Sequence, residues 1–274
     1  MHTAAKWCLR GCAALVVVVG LYLAVFFVPY PLFPHHLEHA GFSVYSDAEL
    51  PAEFEDVLDD VRRRVDAMEL DRGVEPPRVF VCYSQRLFRF FVKLAGKRHA
   101  GQGLLISVAG NAFLSAPTVE AVAVRHDGRP RHSRLQGSMA AAIAHEIAHY
   151  RVFAELGFRD ARQLPVWKSE GYADSQANLA PARSDPDYDL HRRIAFWLDD
   201  DVWRTPTGFI DRRHFGWQLL TDYLYQVRNI EFANFIAPSL TEEAVRAEML
   251  GWFEAVADRQ SSAAGSEELA PPEG

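Results

Sequence analysis

The chain has 274 residues, 49% hydrophobic and 24% charged, with a formal net charge of −7. That is ordinary globular composition, long enough for one large domain or two small ones. Without Lys6 and Arg10 the 29 basic residues fall to 27 against 36 acidic, so the body is acidic and offers nucleic acid no electrostatic footprint. Of the three cysteines, Cys8 and Cys12 lie at or before an apolar run and only Cys82 lies in the body. No disulfide is available within the body and no C-x-x-C pair could close a structural zinc site, so any metal must be held by His and carboxylates.

The first element is residues 13–28, AALVVVVGLYLAVFFV, uncharged and strongly apolar. With Cys12 and the following Pro29-Tyr30-Pro31-Leu32-Phe33, the run approaches the ~20 residues that span a bilayer. Lys6 and Arg10 precede it, and no Lys or Arg follows until Arg62. This asymmetry predicts a cytoplasmic amino terminus and a body on the periplasmic or extracellular side. A cleaved signal peptide would show a shorter apolar core and a small-x-small site. The bulky Phe26-Phe27-Val28-Pro29 end favours an uncleaved anchor over residues 1–34.

Phe42-Ser43-Val44-Tyr45-Ser46 alternates and predicts a strand. Pro51 opens a helix to about Leu70 with an apolar stripe of Phe54, Val57, Leu58, Val61 and Val65. Arg78 to Tyr83 is a second strand after Pro76-Pro77, and Ser84 is a candidate cap for a short helix carrying Leu87, Phe88, Phe91 and Leu94. Leu104 to Val108 reads as a third strand, extended toward Leu114. Residues 119–124 offer another, and Asp127-Gly128 marks a turn. A long helix is expected from near Leu135 to Leu156, with Gly157 as its terminating glycine. Another runs from about Val166 to Leu179. After a polar insertion at 181–189, helical patterns recur around 190–200, 213–228 and 241–257. The segment 258–274 lacks aromatic and β-branched residues and reads as a disordered tail. The expected architecture is α+β: a mixed α/β half with a small sheet, then a helical half, with a cleft between them.

The helix at 135–156 contains His145-Glu146-Ile147-Ala148-His149, an H-E-x-x-H pattern. Two imidazoles four residues apart share one helix face, separated by roughly 6 Å of rise. They can grip one Zn2+ ion with Glu146 beside its open position. The surrounding helix is apolar nearly all round, through Met139, Ala142, Ile143, Ala144, Ile147, Ala148, Val152 and Phe153. Polar groups buried there need a partner, and a metal supplies one. The segment Trp167-Lys168-Ser169-Glu170-Gly171-Tyr172-Ala173-Asp174 offers Glu170 as a third ligand from a separate helix. Two His and one Glu form an established catalytic zinc set with a fourth position left for water.

H-E-I-A-H followed by W-K-S-E-G-Y-A-D resembles the gluzincin metallopeptidases, and more narrowly the peptidase-MA-like bacterial domains. The specific part of the resemblance covers about 135–180. It implies a zincin-like fold over 35–257 and a peptide or protein substrate. It also implies Glu146 as the base that takes a proton from water, and Asp174 as hydrogen-bond partner of His145. Such partners orient a ligating imidazole and raise its basicity. An oxyanion donor is expected from the later helical half. His214 is the candidate in the segment His214-Phe215-Gly216-Trp217, with Tyr223 and Tyr172 behind it. The family's peptide-binding strand would be an edge strand within 104–124. No G-x-M-x-N exopeptidase signature is visible.

The expectation is a membrane-anchored zinc endopeptidase. The alternative is a non-catalytic, zinc-stabilised binding or scaffold domain. Intact Glu146 favours the enzyme, since a purely structural site needs only the ligands. His35, His36 and His39 read as solvated residues just outside the anchor.

Overall fold

The computed structural model describes residues 2–70, 73–98, 101–117, 138–184, 188–199 and 212–267. Helix α1 (His2–Phe27) leads through a 3-10 turn at Tyr30–Leu32 into β1 (His35–His39) and β2 (Phe42–Ser46). Ala40 and Gly41, both at positive φ (50° and 81°), join the two antiparallel strands in the short turn that primed hairpin geometry requires. Strand β1 was not expected, although its His35 and His36 are exposed as the sequence suggests. His-His-Leu-Glu-His contains one apolar residue, so it carries no alternation, yet an edge strand needs little. His36 stacks on Tyr45 with ring centroids 4.4 Å apart, and His39 Nε2 lies 2.8 Å from Asp59 Oδ1.

Helix α2 (Phe54–Asp66) follows, burying Phe54, Leu58, Val61 and Val65. Strand β3 (Arg78–Cys82) leads to α3 (Gln85–Leu94), whose Ser84 cap accepts from the Leu87 amide at 3.3 Å as the sequence predicts. The single long strand expected from Leu104 is instead two. β4 (Gly103–Ile106) ends in a 3-10 turn at Ser107–Ala109. Gly110, at φ 60°, then reverses the chain into β5 (Asn111–Ser115). A left-handed residue is what glycine tolerates and what breaks an extended run.

The five strands pair in the order β1-β2-β3-β5-β4. β2, β3 and β5 are parallel, whereas β1 and β4 are antiparallel edges. Alternate side chains divide the two faces. Val44, Val79, Val81 and Leu114 face one core, shared with α2 and the later helices. Phe80, Cys82 and Phe113 face another, shared with Phe88 and Phe91 of α3 and with Phe26 and Phe33.

The helical half begins at Ser138, whose hydroxyl caps α4 (Met139–Ala161) through the Ala141 amide at 3.0 Å. The residues 118–137, with the expected strand at 119–124 and helix start near Leu135, lie outside the described residues. Gly157 breaks α4 at φ 76°, ψ 168°, a conformation essentially reserved for glycine. Then come α5 (Val166–Ser184), α6 (Leu190–Leu198), α7 (Arg212–Gln226), α8 (Phe232–Phe235) and α9 (Glu242–Glu267). Their core gathers Trp167, Tyr172, Ile194, Trp197, Phe215, Trp217 and Tyr223.

One expectation is corrected. α9 continues to Glu267, past Asp258 where the disordered tail was expected to start. Extending a helix already nucleated and packed costs little, and the Ala, Gln and Glu there are good helix formers. Residues 268–274 lie outside the described residues. Among the described residues no helix is long and apolar enough to cross a membrane. Part of the apolar run is engaged elsewhere. Phe26 is buried in the sheet's aromatic face, and the Tyr22 hydroxyl donates to the Leu94 carbonyl at 2.8 Å.

Candidate metal centre

Two elements converge on the H-E-x-x-H turn of α4. α5 packs across it and supplies Glu170, and the edge strand β4 runs alongside. His145 Nε2 and His149 Nε2 lie 3.0 Å apart. Glu170 Oε2 lies 3.4 Å from the first and 3.6 Å from the second. Donor atoms about 2.0–2.1 Å from a tetrahedral zinc are about 3.3 Å from one another. The triangle therefore has the size such an ion needs. The three side chains are 18–28% exposed, neither sealed nor fully solvated. Among the described residues no other group of three His, Cys, Asp or Glu side chains could hold a metal.

Asp174 lies one turn beyond Glu170, with Oδ1 2.8 Å from His145 Nδ1. With that nitrogen donating to the carboxylate, the Nε2 lone pair is left aimed at the cluster. Burial opposes charging His145, yet Asp174 and Glu170 outweigh it and raise its pKa. Burial would also raise Glu170, but hydrogen bonds from both imidazoles hold it far below the usual carboxylate range. Two carboxylates, Glu170 and Asp174, thus face the two imidazoles.

Glu146, the next residue on the same helix turn as His145, is buried at 7% exposure. Burial pushes its carboxyl pKa up, against the pull of His145, His149 and Lys97. A carboxylate of raised pKa is suited to accept a proton near neutrality. It rests against β4: a Cβ added to Gly103 would stand 2.1 Å from Glu146 Oε1.

Three contributors were not anticipated. Gly103 leaves the space Glu146 occupies. Ser169 Oγ lies 3.4 Å from His149 Nδ1, so the second imidazole also has a partner on its far nitrogen. Gly171 lets α5 and α7 touch: an added Cβ would meet the Trp217 carbonyl oxygen at 2.5 Å. That contact fixes the height of Glu170 above α4. Only the glycine in Glu170-Gly171 hinted at it.

His214, in the first turn of α7, is half-buried with its ring 4.9 Å from that of Trp217. Among the described residues its ring contact is with Trp217 and not with His145 or His149. Tyr172 and Tyr223 are core residues of the helical half, 2% and 5% exposed. Tyr172 packs against Tyr225, Phe232 and Phe235, and Tyr223 against Trp252.

A buried polar network holds α5, α6 and α7 together. Asp222 accepts from Arg193 at 2.7 Å, from Tyr188 at 2.7 Å and from Ser175 at 2.6 Å. Arg193 also lies over the Tyr188 and Phe215 rings, 4.7 and 5.1 Å from their centroids. Ser175 directly follows Asp174, so the network steadies the turn that orients His145.

No protein-family model and no curated protein matches the chain. Fold and site together define a mixed α/β protein with a small five-stranded sheet, a helical carboxyl-terminal half and a candidate His-His-Glu metal centre.

Proposed function

We propose that this protein is a zinc-dependent endopeptidase of the gluzincin kind, tethered to a membrane by its amino-terminal helix. The observation carrying the reading is the pairing of a three-donor triangle, edges 3.0 to 3.6 Å, with a buried Glu146 that belongs to none of its corners. A site built only for structure has no use for that further carboxylate.

His145, His149 and Glu170 would hold the zinc, and Asp174 and Ser169 would fix the imidazoles. A zinc ion there would polarise the scissile carbonyl and acidify a bound water. Glu146 accepts the water's proton and returns one to the departing amine. The edge of β4 would align an extended peptide beside Glu146 by strand pairing. The exposed apolar side chains of α1, among them Leu15, Val16, Val17 and Leu21, support the tether, and the flanking charges favour a body outside the cytoplasm.

A non-catalytic, zinc-stabilised scaffold is the second reading, kept open by the unassigned oxyanion donor. Metal analysis and cleavage of a denatured protein mixture by wild type and Glu146→Gln separate the two. The endopeptidase reading expects zinc in both proteins and cleavage by wild type alone. Equal cleavage by both, or by neither, overturns it.

A further inference from the structure

Charge is unevenly distributed along this acidic chain. Residues 76–119 contain no Asp or Glu but include Arg78, Arg86, Arg89, Lys93, Lys97 and Arg98. Arg78 is engaged with Tyr30 and the Ala109 carbonyl. Arg86, Arg89 and Lys93 are not paired with any carboxylate among the described residues, and all three are exposed. Their spacing, three then four residues, puts them on one stripe of α3. Phe90 lies beside that stripe, 44% exposed, while Phe88, Phe91 and Val92 turn inward onto the sheet.

This stripe sits beside the base of α1. The Tyr22 hydroxyl donates to Leu94 at the end of α3, and the Phe26 and Phe91 rings are 6.5 Å apart. Around that base, Phe27, Val28 and Leu32 are 42%, 55% and 43% exposed. Exposed apolar side chains and unpaired cations therefore adjoin one another where an apolar helix meets the body.

We propose that the outer face of α3, with Arg86, Arg89, Lys93 and Phe90, seats the body on an anionic lipid surface. Cations take the headgroup charge while aromatic and aliphatic side chains enter the interface. A soluble polyanion would satisfy the cations but leave the apolar residues in water. The inference builds on the proposed tether in α1, but has its own readout.

The test uses the full chain with Cys8 and Cys12 replaced by Ser and Phe90→Cys carrying an environment-sensitive fluorophore. Cys82 is fully buried, with burial raising its thiol pKa, so it does not compete for the label. Flotation with neutral phosphatidylcholine vesicles reads the tether. A blue shift of the label on phosphatidylglycerol-containing vesicles, absent on neutral ones, reads the α3 seat. The shift should vanish at about 0.5 M salt. It should also vanish in Arg86→Gln/Arg89→Gln/Lys93→Gln, which weakens seating by roughly a hundredfold. Flotation with no lipid-dependent shift overturns the seat and leaves the tether. A salt-sensitive shift on anionic vesicles without flotation on neutral ones supports the seat and removes the tether. A shift with soluble heparin but not with anionic vesicles overturns the seat in favour of a polyanion.

Discussion

Asp174 Oδ1 stands 2.8 Å from His145 Nδ1, so a residue of α5 sets the orientation of a ring on α4. Asp174→Asn leaves the shape of the side chain but removes its charge. The expected result is a loss of about 10- to 100-fold in zinc affinity with the fold intact. Competition against a chromophoric chelator measures it, and unchanged affinity would remove Asp174 from the site. Glu170→Gln, which takes away a ligand charge, should cost more than Asp174→Asn in the same titration.

Gly103→Ala separates catalysis from metal binding. Its new methyl group would fall on Glu146 Oε1, the mobile end of a side chain, so the carboxylate moves instead of the backbone. Zinc content and melting temperature should stay near wild type while kcat falls by about 10-fold or more, as misplacement of a catalytic group implies. A variant with full turnover would show that the contact between β4 and Glu146 does not position the base.

Gly171→Ala has the opposite character. The clash is with the backbone of Trp217, at 2.5 Å from its oxygen and 2.9 Å from its carbon. Neither atom can yield alone, so α5 must move relative to α7. Overpacking of this kind costs about 1–3 kcal/mol, and Glu170 moves with its helix. Thermal unfolding and zinc titration should both deteriorate. Loss of stability with full zinc affinity would show that Glu170 does not depend on this packing.

The Arg193–Asp222 pair is 2% exposed on both sides. Asp222→Ala strands a buried guanidinium and two hydroxyls, and should destabilise the protein by about 3–5 kcal/mol in denaturant melts. Arg193→Met/Asp222→Leu removes both charges and should recover part of that loss. If the double variant is no more stable than Asp222→Ala, the stranded charge is not the cause.

Zinc removal is expected to lower stability, because His145, His149 and Glu170 join α4 to α5. A ligand held by the folded state alone contributes about 2.7 kcal/mol when present at 100 times its dissociation constant. Chelator should lower the melting temperature of wild type and of Glu146→Gln alike. It should leave a His145→Ala/His149→Ala variant unmoved.

Much of the chain is determined locally. The alternation at Phe42–Ser46, the apolar stripe of α2, the Ser84 cap and Gly157 each express a constraint within a few neighbouring residues. The H-E-x-x-H spacing is of the same kind, since helix periodicity alone puts His145 and His149 on one face. Glu170 was offered as a carboxylate on a separate helix completing the two-His-one-Glu set, and Asp174 only through the resemblance of its segment. What the sequence left open is non-local. β1 exists because β2 offers it hydrogen bonds, which its own residues do not announce. Gly103 and Gly171 are required by atoms 43 and 46 positions away in the chain, on Glu146 and Trp217. His214 looked suitable by type, and only the packing of α7 turns its ring to Trp217. The sequence thus determined which groups could hold a metal, through helical spacing and residue chemistry. Tertiary structure decided their separation, the partner on each imidazole and the space left for Glu146, because these distances arise from helix and strand contacts between distant segments.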